Sequence, residues 1–146
     1  MFKRKTIPEI KIYKDEMIFN ISLIIKNKTY YNAMKCTLDQ EIKTILIGDI
    51  YIINDRSLEP WNYTKFINKG YGTLMMNELL KFAKENNYKK ITGNISDIDN
   101  NTEWDPNHRE RLIHFYKKFG FNILPNETNP KQIELILGKE NNNGKS

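Results

Sequence analysis

The stretch Lys65-Phe66-Ile67-Asn68-Lys69-Gly70-Tyr71-Gly72-Thr73-Leu74 decides how the rest of the 146-residue chain is read. From Gly70 onward the apolar period is helical: Tyr71, Leu74, Met75, Leu79, Phe82 and Ala83 share one face, and Asn77, Glu78, Lys81, Lys84 and Glu85 take the other. Asn86-Asn87 ends the helix, since asparagine tolerates the left-handed conformation of a helix stop. Gly70 and Gly72 therefore stand at the mouth of a helix. The first-turn N–H groups of a helix have no intrahelical acceptor and form a ready anion site, which glycine lets a phosphate approach without a Cβ in the way. Lys65 and Lys69 add positive charge, and the Thr73 hydroxyl can donate one more hydrogen bond. Two readings stand on these residues alone: a pyrophosphate site, or a turn that uses glycine only for its φ angle.

Upstream the pattern is that of strands. Ile10 and Ile12 alternate with Lys11, and the runs Met17 to Ile25 and Thr29 to Leu38 have a rough period of two. Polar breaks at Asn27-Lys28 and Asp39-Gln40 predict hairpin connections and an antiparallel meander. The fourth run, Lys43 to Ile53, is the most apolar, which predicts a central strand buried on both faces. Asn54 to Thr64 reads as a loop. Downstream of the helix a strand is expected over Lys90 to Ser96, followed by an acidic polar segment. A second helix opens at Asp105-Pro106, carries the stripe Leu112, Phe115, Tyr116 and Phe119, places Lys117 and Lys118 at its negative end, and stops at Gly120. Phe121 to Leu124 and Gln132 to Leu137 are expected as closing strands. The expected architecture is one α/β domain over residues 1–138, with a mixed, mostly antiparallel sheet and two main helices, and a disordered polar tail over 139–146.

Composition narrows the classes. Hydrophobic residues make up 39% and charged residues 28%, as in soluble globular domains. No apolar run approaches the roughly 20 residues of a membrane-spanning helix, and Thr6 to Lys14 alternates where a secretory signal needs a continuous apolar block. A cytoplasmic protein is expected, with no membrane partner. Cys36, a half-buried thiol on this reading, has no spacing with His108 and His114 that suggests a metal site. The net charge of +5 permits a polyanion partner, but 19 of the 23 basic residues are lysines scattered along the chain, and no recognition motif accompanies them. Nucleic acid is not the expected partner; a nucleic-acid binder would lose affinity steeply with salt. A dinucleotide fold needs a third glycine where Met75 stands, and the tail Gly144-Lys145-Ser146 has no helix to follow it as a P-loop.

The carboxylates supply further candidates. Asp49 lies inside an apolar strand beside Gly48, where burial would raise its pKa toward that of a general base; a structural role as hydrogen-bond acceptor fits the same position. Asp97 is an alternative base, and the acidic segment Asp97 to Asp105 is placed to attract a cationic amine, although its spacing does not make a calcium loop.

Taken in order, the meander, the glycine-led helix, a strand, and a second helix ending Tyr116-Lys117-Lys118-Phe119-Gly120-Phe121 resemble the GNAT superfamily of acetyl-CoA-dependent N-acetyltransferases. The family's pyrophosphate motif is matched by Ile67-Asn68-Lys69-Gly70-Tyr71-Gly72, and its Tyr and Gly-Phe motif by Tyr116 and Gly120-Phe121; the resemblance covers about Lys43 to Leu137. It implies acetyl-CoA as cosubstrate, without a metal, bound in a gap between two parallel strands that splay at their C-terminal ends. Tyr51, Ile52 and Ile53 would take the pantetheine arm, and Asn68, Lys69, Gly70, Tyr71, Gly72, Thr73 and Leu74 the pyrophosphate. Tyr116 would be the general acid, with Asp49 as base, for acetyl transfer to a primary amine. The chain departs from the family at Ile67, where Arg or Gln is usual, at Arg109, where many members have Asn, and in its strand-rich first fifty residues. Those residues leave the acceptor site open or completed by the second subunit of a homodimer. The departures also define an alternative, a GNAT-like CoA-binding or protein-interaction module without turnover.

Overall fold

A computed structural model describes residues 8–50, 70–95, 108–124 and 131–138, and for Asp49, His108 and Lys131 it describes the backbone alone. Strands β1 (Glu9–Lys14), β2 (Ile18–Ile25), β3 (Lys28–Asp39) and β4 (Thr44–Ile50) precede helix α1 (Tyr71–Glu85). Strand β5 (Lys90–Ile95), helix α2 (His108–Lys118) and strands β6 (Asn122–Ile123) and β7 (Lys131–Ile136) complete the described elements. The strands form one sheet of seven in the order β1-β2-β3-β4-β5-β7-β6. All pairs are antiparallel except β4 with β5.

The meander follows from local chemistry. Between β1 and β2 the Asp15 carboxylate accepts the N–H groups of Met17 and Ile18 at 2.8 and 2.9 Å, a side-chain-closed turn. Those two bonds hold the Asp15 pKa below the usual carboxylate value. The β2–β3 turn is Lys26-Asn27, both with positive φ, one residue earlier than the break read from the sequence; the pair has the positive φ values of a type I′ hairpin, and β3 already begins at Lys28.

One row of residues crosses the sheet in register: Phe19, Cys36, Ile47, Gly93, Ile133 and Ile123. Gly93 fills the centre of that row because a Cβ there would come within 3.3 Å of Ile133 and 3.6 Å of Ile47. Helix α1 lies over this face, with Phe82 stacked on Phe19 at 4.3 Å and Met75, Met76, Leu79 and Ala83 buried. Leu112, Tyr116 and Phe121 join the same buried cluster. The opposite face differs from expectation: Leu46 of β4 is 43% exposed and Ile136 of β7 40%. Strand β4 is central but alternates, because among the described residues the helical side chains of the core gather on the Phe19 face alone.

Cys36 is fully buried instead of half-buried, and burial pushes its thiol up to about 12 from an ordinary value of 9.0. Between these values the unfolded chain releases a proton that the folded chain retains, so stability falls as pH rises. We expect Cys36 to contribute a loss of about 1.4 kcal/mol per pH unit above pH 9, absent in Cys36→Ala. Urea denaturation of both proteins from pH 8 to 10.5 measures the difference.

Candidate functional site

The parallel ladder between β4 and β5 is short. Thr44 pairs with Lys90, and the last pair is Ile47 with Gly93. Beyond it β4 stays with β3, through Lys35 with Asp49 and Met34 with Ile50. Strand β5 stays with β7, through Asn94 with Gln132 and Ile95 with Lys131. The two strands thus part at their C-terminal ends.

The parting has a local cause in β4. Cys36 opposes Ile47 while Lys35 opposes Asp49, so Gly48 is an extra residue, a β-bulge. A bulge bends its strand and increases the local twist, and here it turns β4 away from β5. Glycine suits the position because a Cβ would lie 3.3 Å from the Lys35 carbonyl oxygen. Asp49 follows the bulge in the β4 backbone, with its side chain outside the described set.

The mouth of α1 opens from Gly70, the N-cap residue, at φ 82° and ψ 6°, with no side chain capping it and no acidic residue in the first turn. No described residue comes within 4 Å of where a Gly70 Cβ would sit. Leu74 N–H donates to Gly70 O at 2.9 Å, which commits that amide to the helix, so the first-turn N–H groups that have no intrahelical acceptor run only through Thr73. Gly70 is exposed, Thr73 and Leu74 half-buried, Tyr71 and Gly72 buried. Tyr51, Ile52, Ile53, Ile67, Asn68, Lys69, the expected loop 54–64 and the acidic segment 97–105 with its Asp105-Pro106 cap lie outside the described residues.

Helix α2 ends in a Schellman motif. Phe121 N–H donates to Tyr116 O at 3.2 Å and Gly120 N–H to Lys117 O at 3.0 Å, with Gly120 at φ 94°. The rings of Tyr116 and Phe121 meet edge-to-face at 5.4 Å, the apolar contact that accompanies this stop. Tyr116 is 7% exposed. Lys118 reaches out of the same turn to α1, its Nζ 3.1 Å from Thr73 Oγ1. Sequence reasoning treated Lys118 only as a cation suited to its own helix end.

A separate cleft of about 400 Å³ lies at the other end of α1, lined by Phe82, Asn86 and Tyr88 with Lys14, Asp15, Glu16, Gln40 and Lys43. That is the negative end of the helix, where the two lysines are favourable and an anion is not. Lys43 Nζ sits 4.5 Å from the Tyr88 ring centre and Lys14 Nζ 5.5 Å from that of Phe82. With the Asp15 and Glu16 carboxylates also on its wall, this cleft is a poor anion site.

The chain resembles solved acetyltransferases. PaiA N-acetyltransferase from Thermoplasma acidophilum, crystallised in complex with coenzyme A, superposes with TM-score 0.57 at 13% identity, over 83% of this chain and 62% of that one. Nourseothricin acetyltransferase gives TM-score 0.54 at 12% identity, over 92% and 86% of the two chains. Ard1 from Thermoplasma volcanium gives 0.51 at 16%, over 85% and 72%. The fold is that of the GNAT N-acetyltransferases. In sequence, 70 residues, 47% of the chain, are 41% identical to the uncharacterized protein YocC of Bacillus subtilis (strain 168), and the match spans 39% of that relative. No family model matches.

Two glycines of the candidate site respond differently to substitution. Gly48→Val forces a side chain against the Lys35 carbonyl and lowers stability by about 1–3 kcal/mol. Gly70→Ala meets only left-handed backbone strain, about 1 kcal/mol. Urea denaturation of the two variants checks the order.

Proposed function

We propose that the chain transfers an acetyl group from acetyl-CoA to a primary amine. The observation that carries this reading is the pairing of the β4–β5 parting with the mouth of α1, which opens on a glycine and is the next described helix after β4. The residues suit the cosubstrate. Strand edges that part leave backbone groups able to take the amides of an extended pantetheine arm as an added strand, at β4 and through Tyr51, Ile52 and Ile53 beyond it. The N–H groups at Gly70 to Thr73, with Asn68 and Lys69 adjoining, would hold the diphosphate. The fold-level likeness to an acetyltransferase crystallised with coenzyme A agrees with this assignment.

In the reaction the amine lone pair attacks the thioester carbonyl carbon, the carbon–sulfur bond breaks, and sulfur leaves with the electron pair. The amine surrenders a proton, for which Asp49 on the parting strand is our candidate base, and the thiolate takes one. A phenol holds its proton more tightly than a thiol and can still deliver it to a thiolate as that charge develops. Tyr116 is the phenol we assign to that step. A reading without turnover draws on one observation, that the Tyr116–Phe121 contact is already explained by the helix stop.

Thermal shift with acetyl-CoA, CoA and ATP tests the cofactor, since a ligand bound to the native state alone raises stability by mass action. Stabilisation by acetyl-CoA and CoA is expected; stabilisation by ATP without acetyl-CoA would overturn the assignment. Thiol release with a panel of amines then separates the readings. Transfer by the parent, with kcat reduced about 100-fold in Tyr116→Phe at unchanged acetyl-CoA affinity, is the expected result. Binding with no release in the parent supports the module.

A further inference from the structure

The two edges of the sheet are unlike. Strand β6 closes one edge with two residues, too short to template a further strand. Strand β1 forms the other edge with six residues, paired to β2 from Glu9–Ile24 to Lys14–Phe19 without a register shift, whereas the β2–β3 and β3–β4 ladders each carry one. The turn gives the phase of that pairing. Asp15 N–H donates to Ile18 O at 3.1 Å, so these two are a bonded pair, and bonded pairs recur at every second residue: Tyr13 with Asn20, Lys11 with Ser22, Glu9 with Ile24. The N–H and C=O groups of Ile10, Ile12 and Lys14 therefore point away from β2, and among the described residues no strand takes them. Ile12 also continues the row Ile21, Met34 and Ile50. Those three are at most 2% exposed, yet Ile12 is 42% exposed and Tyr13 beside it 60%. A buried row thus ends in an apolar residue on an open edge. Lysines on an edge strand normally deter a further strand. Here Lys14 Nζ turns toward α1, 5.5 Å from the Phe82 ring centre.

We propose that β1 is a homodimer interface, at which the β1 strands of two copies pair antiparallel about a two-fold axis at Ile12 and join both sheets into one. The strand's self-complementarity selects this occupant. A two-fold axis perpendicular to the sheet leaves each face on its own side, so opposed residues share a face and the axis passes through one residue of the strand. With Ile12 at the centre, the three outward-facing residues pair among themselves, Ile12 with the partner's Ile12 and Ile10 with the partner's Lys14, and every N–H and C=O of the three is satisfied. The two Ile12 side chains carry the buried row from one sheet into the next. Lys11 then faces the partner's Tyr13, a cation beside a ring. Glu9 faces the partner's Asp15, whose carboxylate is held in its own turn by the N–H groups of Met17 and Ile18. The neighbouring registers fit less well. Lys11 at the centre sets lysine against lysine, and Ile10 at the centre sets Ile12 against the partner's Pro8, which has no N–H to donate. Any strand satisfies the same backbone groups; the match of side chains about Ile12 is what favours a second copy. The interface does not depend on the acetyl-CoA reading.

Sedimentation velocity over a concentration series, on the parent and Ile12→Pro, tests the interface. Proline at residue 12 removes an N–H that points outward and so costs no bond to β2, which is why edge strands tolerate it. The parent is expected to dimerise, and Ile12→Pro to keep the parent's far-UV spectrum while its dimer dissociation constant rises at least about 10-fold. Oxidative cross-linking of Ile12→Cys and Tyr13→Cys tests the register. Opposed residues of a bonded antiparallel pair have Cα atoms about 5.5 Å apart, within disulfide reach, whereas two copies of residue 13 stand two residues out of register and beyond it. Ile12→Cys is therefore expected to give a covalent dimer and Tyr13→Cys none, with the buried Cys36 silent in both. A monomeric parent overturns the inference, as does a dimer that Ile12→Pro leaves intact. Should Ile12→Pro fail to fold, the cross-links decide: no covalent dimer from Ile12→Cys, or an equal yield from Tyr13→Cys, overturns it as well.

Discussion

One inserted residue governs the geometry of the site. Strand β4 is held by β3 on one side and β5 on the other, and it cannot satisfy both once Gly48 is added to it. The ladder to β3 resumes beyond the bulge at Lys35 with Asp49, while the ladder to β5 stops at Ile47 with Gly93. The sheet below stays intact because Phe19, Cys36, Ile47, Gly93 and Ile133 form one continuous buried row. Parting strands over this buried floor make a slot, and α1 begins beyond the end of β4.

Both helices reinforce this arrangement through their ends. Helix α1 opens with a glycine, which has no side chain to cap its positive end. It closes with a Schellman stop at Asn87, where Tyr88 N–H donates to Ala83 O at 2.9 Å. Helix α2 closes the same way around Gly120. That second stop fixes Tyr116 and Phe121 against each other and projects Lys118 toward Thr73. The Tyr and Gly-Phe motif thus has a folding reason before it has a chemical one: the phenylalanine seals the turn, and the tyrosine is the residue against which it seals.

Much of this was legible in the sequence where local chemistry decides. The hairpin turns, the stripe of α1 and the stops at Asn87 and Gly120 each follow from residues a few positions apart. The alternation of β4 was hidden because Ile45, Leu46, Ile47 and Ile50 are all apolar, so the outward Leu46 looked like core. The bulge left a trace, since buried positions shift from the odd Ile45 and Ile47 to the even Ile50, but a uniformly apolar run conceals such a shift. Met76 was left off the helical face and is buried, because the core wraps further around α1 than one stripe. The Lys118–Thr73 contact gave no signal, since it depends on where two helix ends meet in space.

The account stands or falls on whether the strand parting and the helix mouth act as one site, and a crystal structure of the chain grown with coenzyme A tests that directly. It should show the diphosphate on the amides following Gly70, the pantetheine arm between β4 beyond Ile47 and β5 beyond Gly93, and the sulfur within reach of the Tyr116 hydroxyl. Coenzyme A bound elsewhere, for example in the cleft beside Phe82 and Tyr88, or a β4–β5 ladder that closes past Gly93, would contradict it.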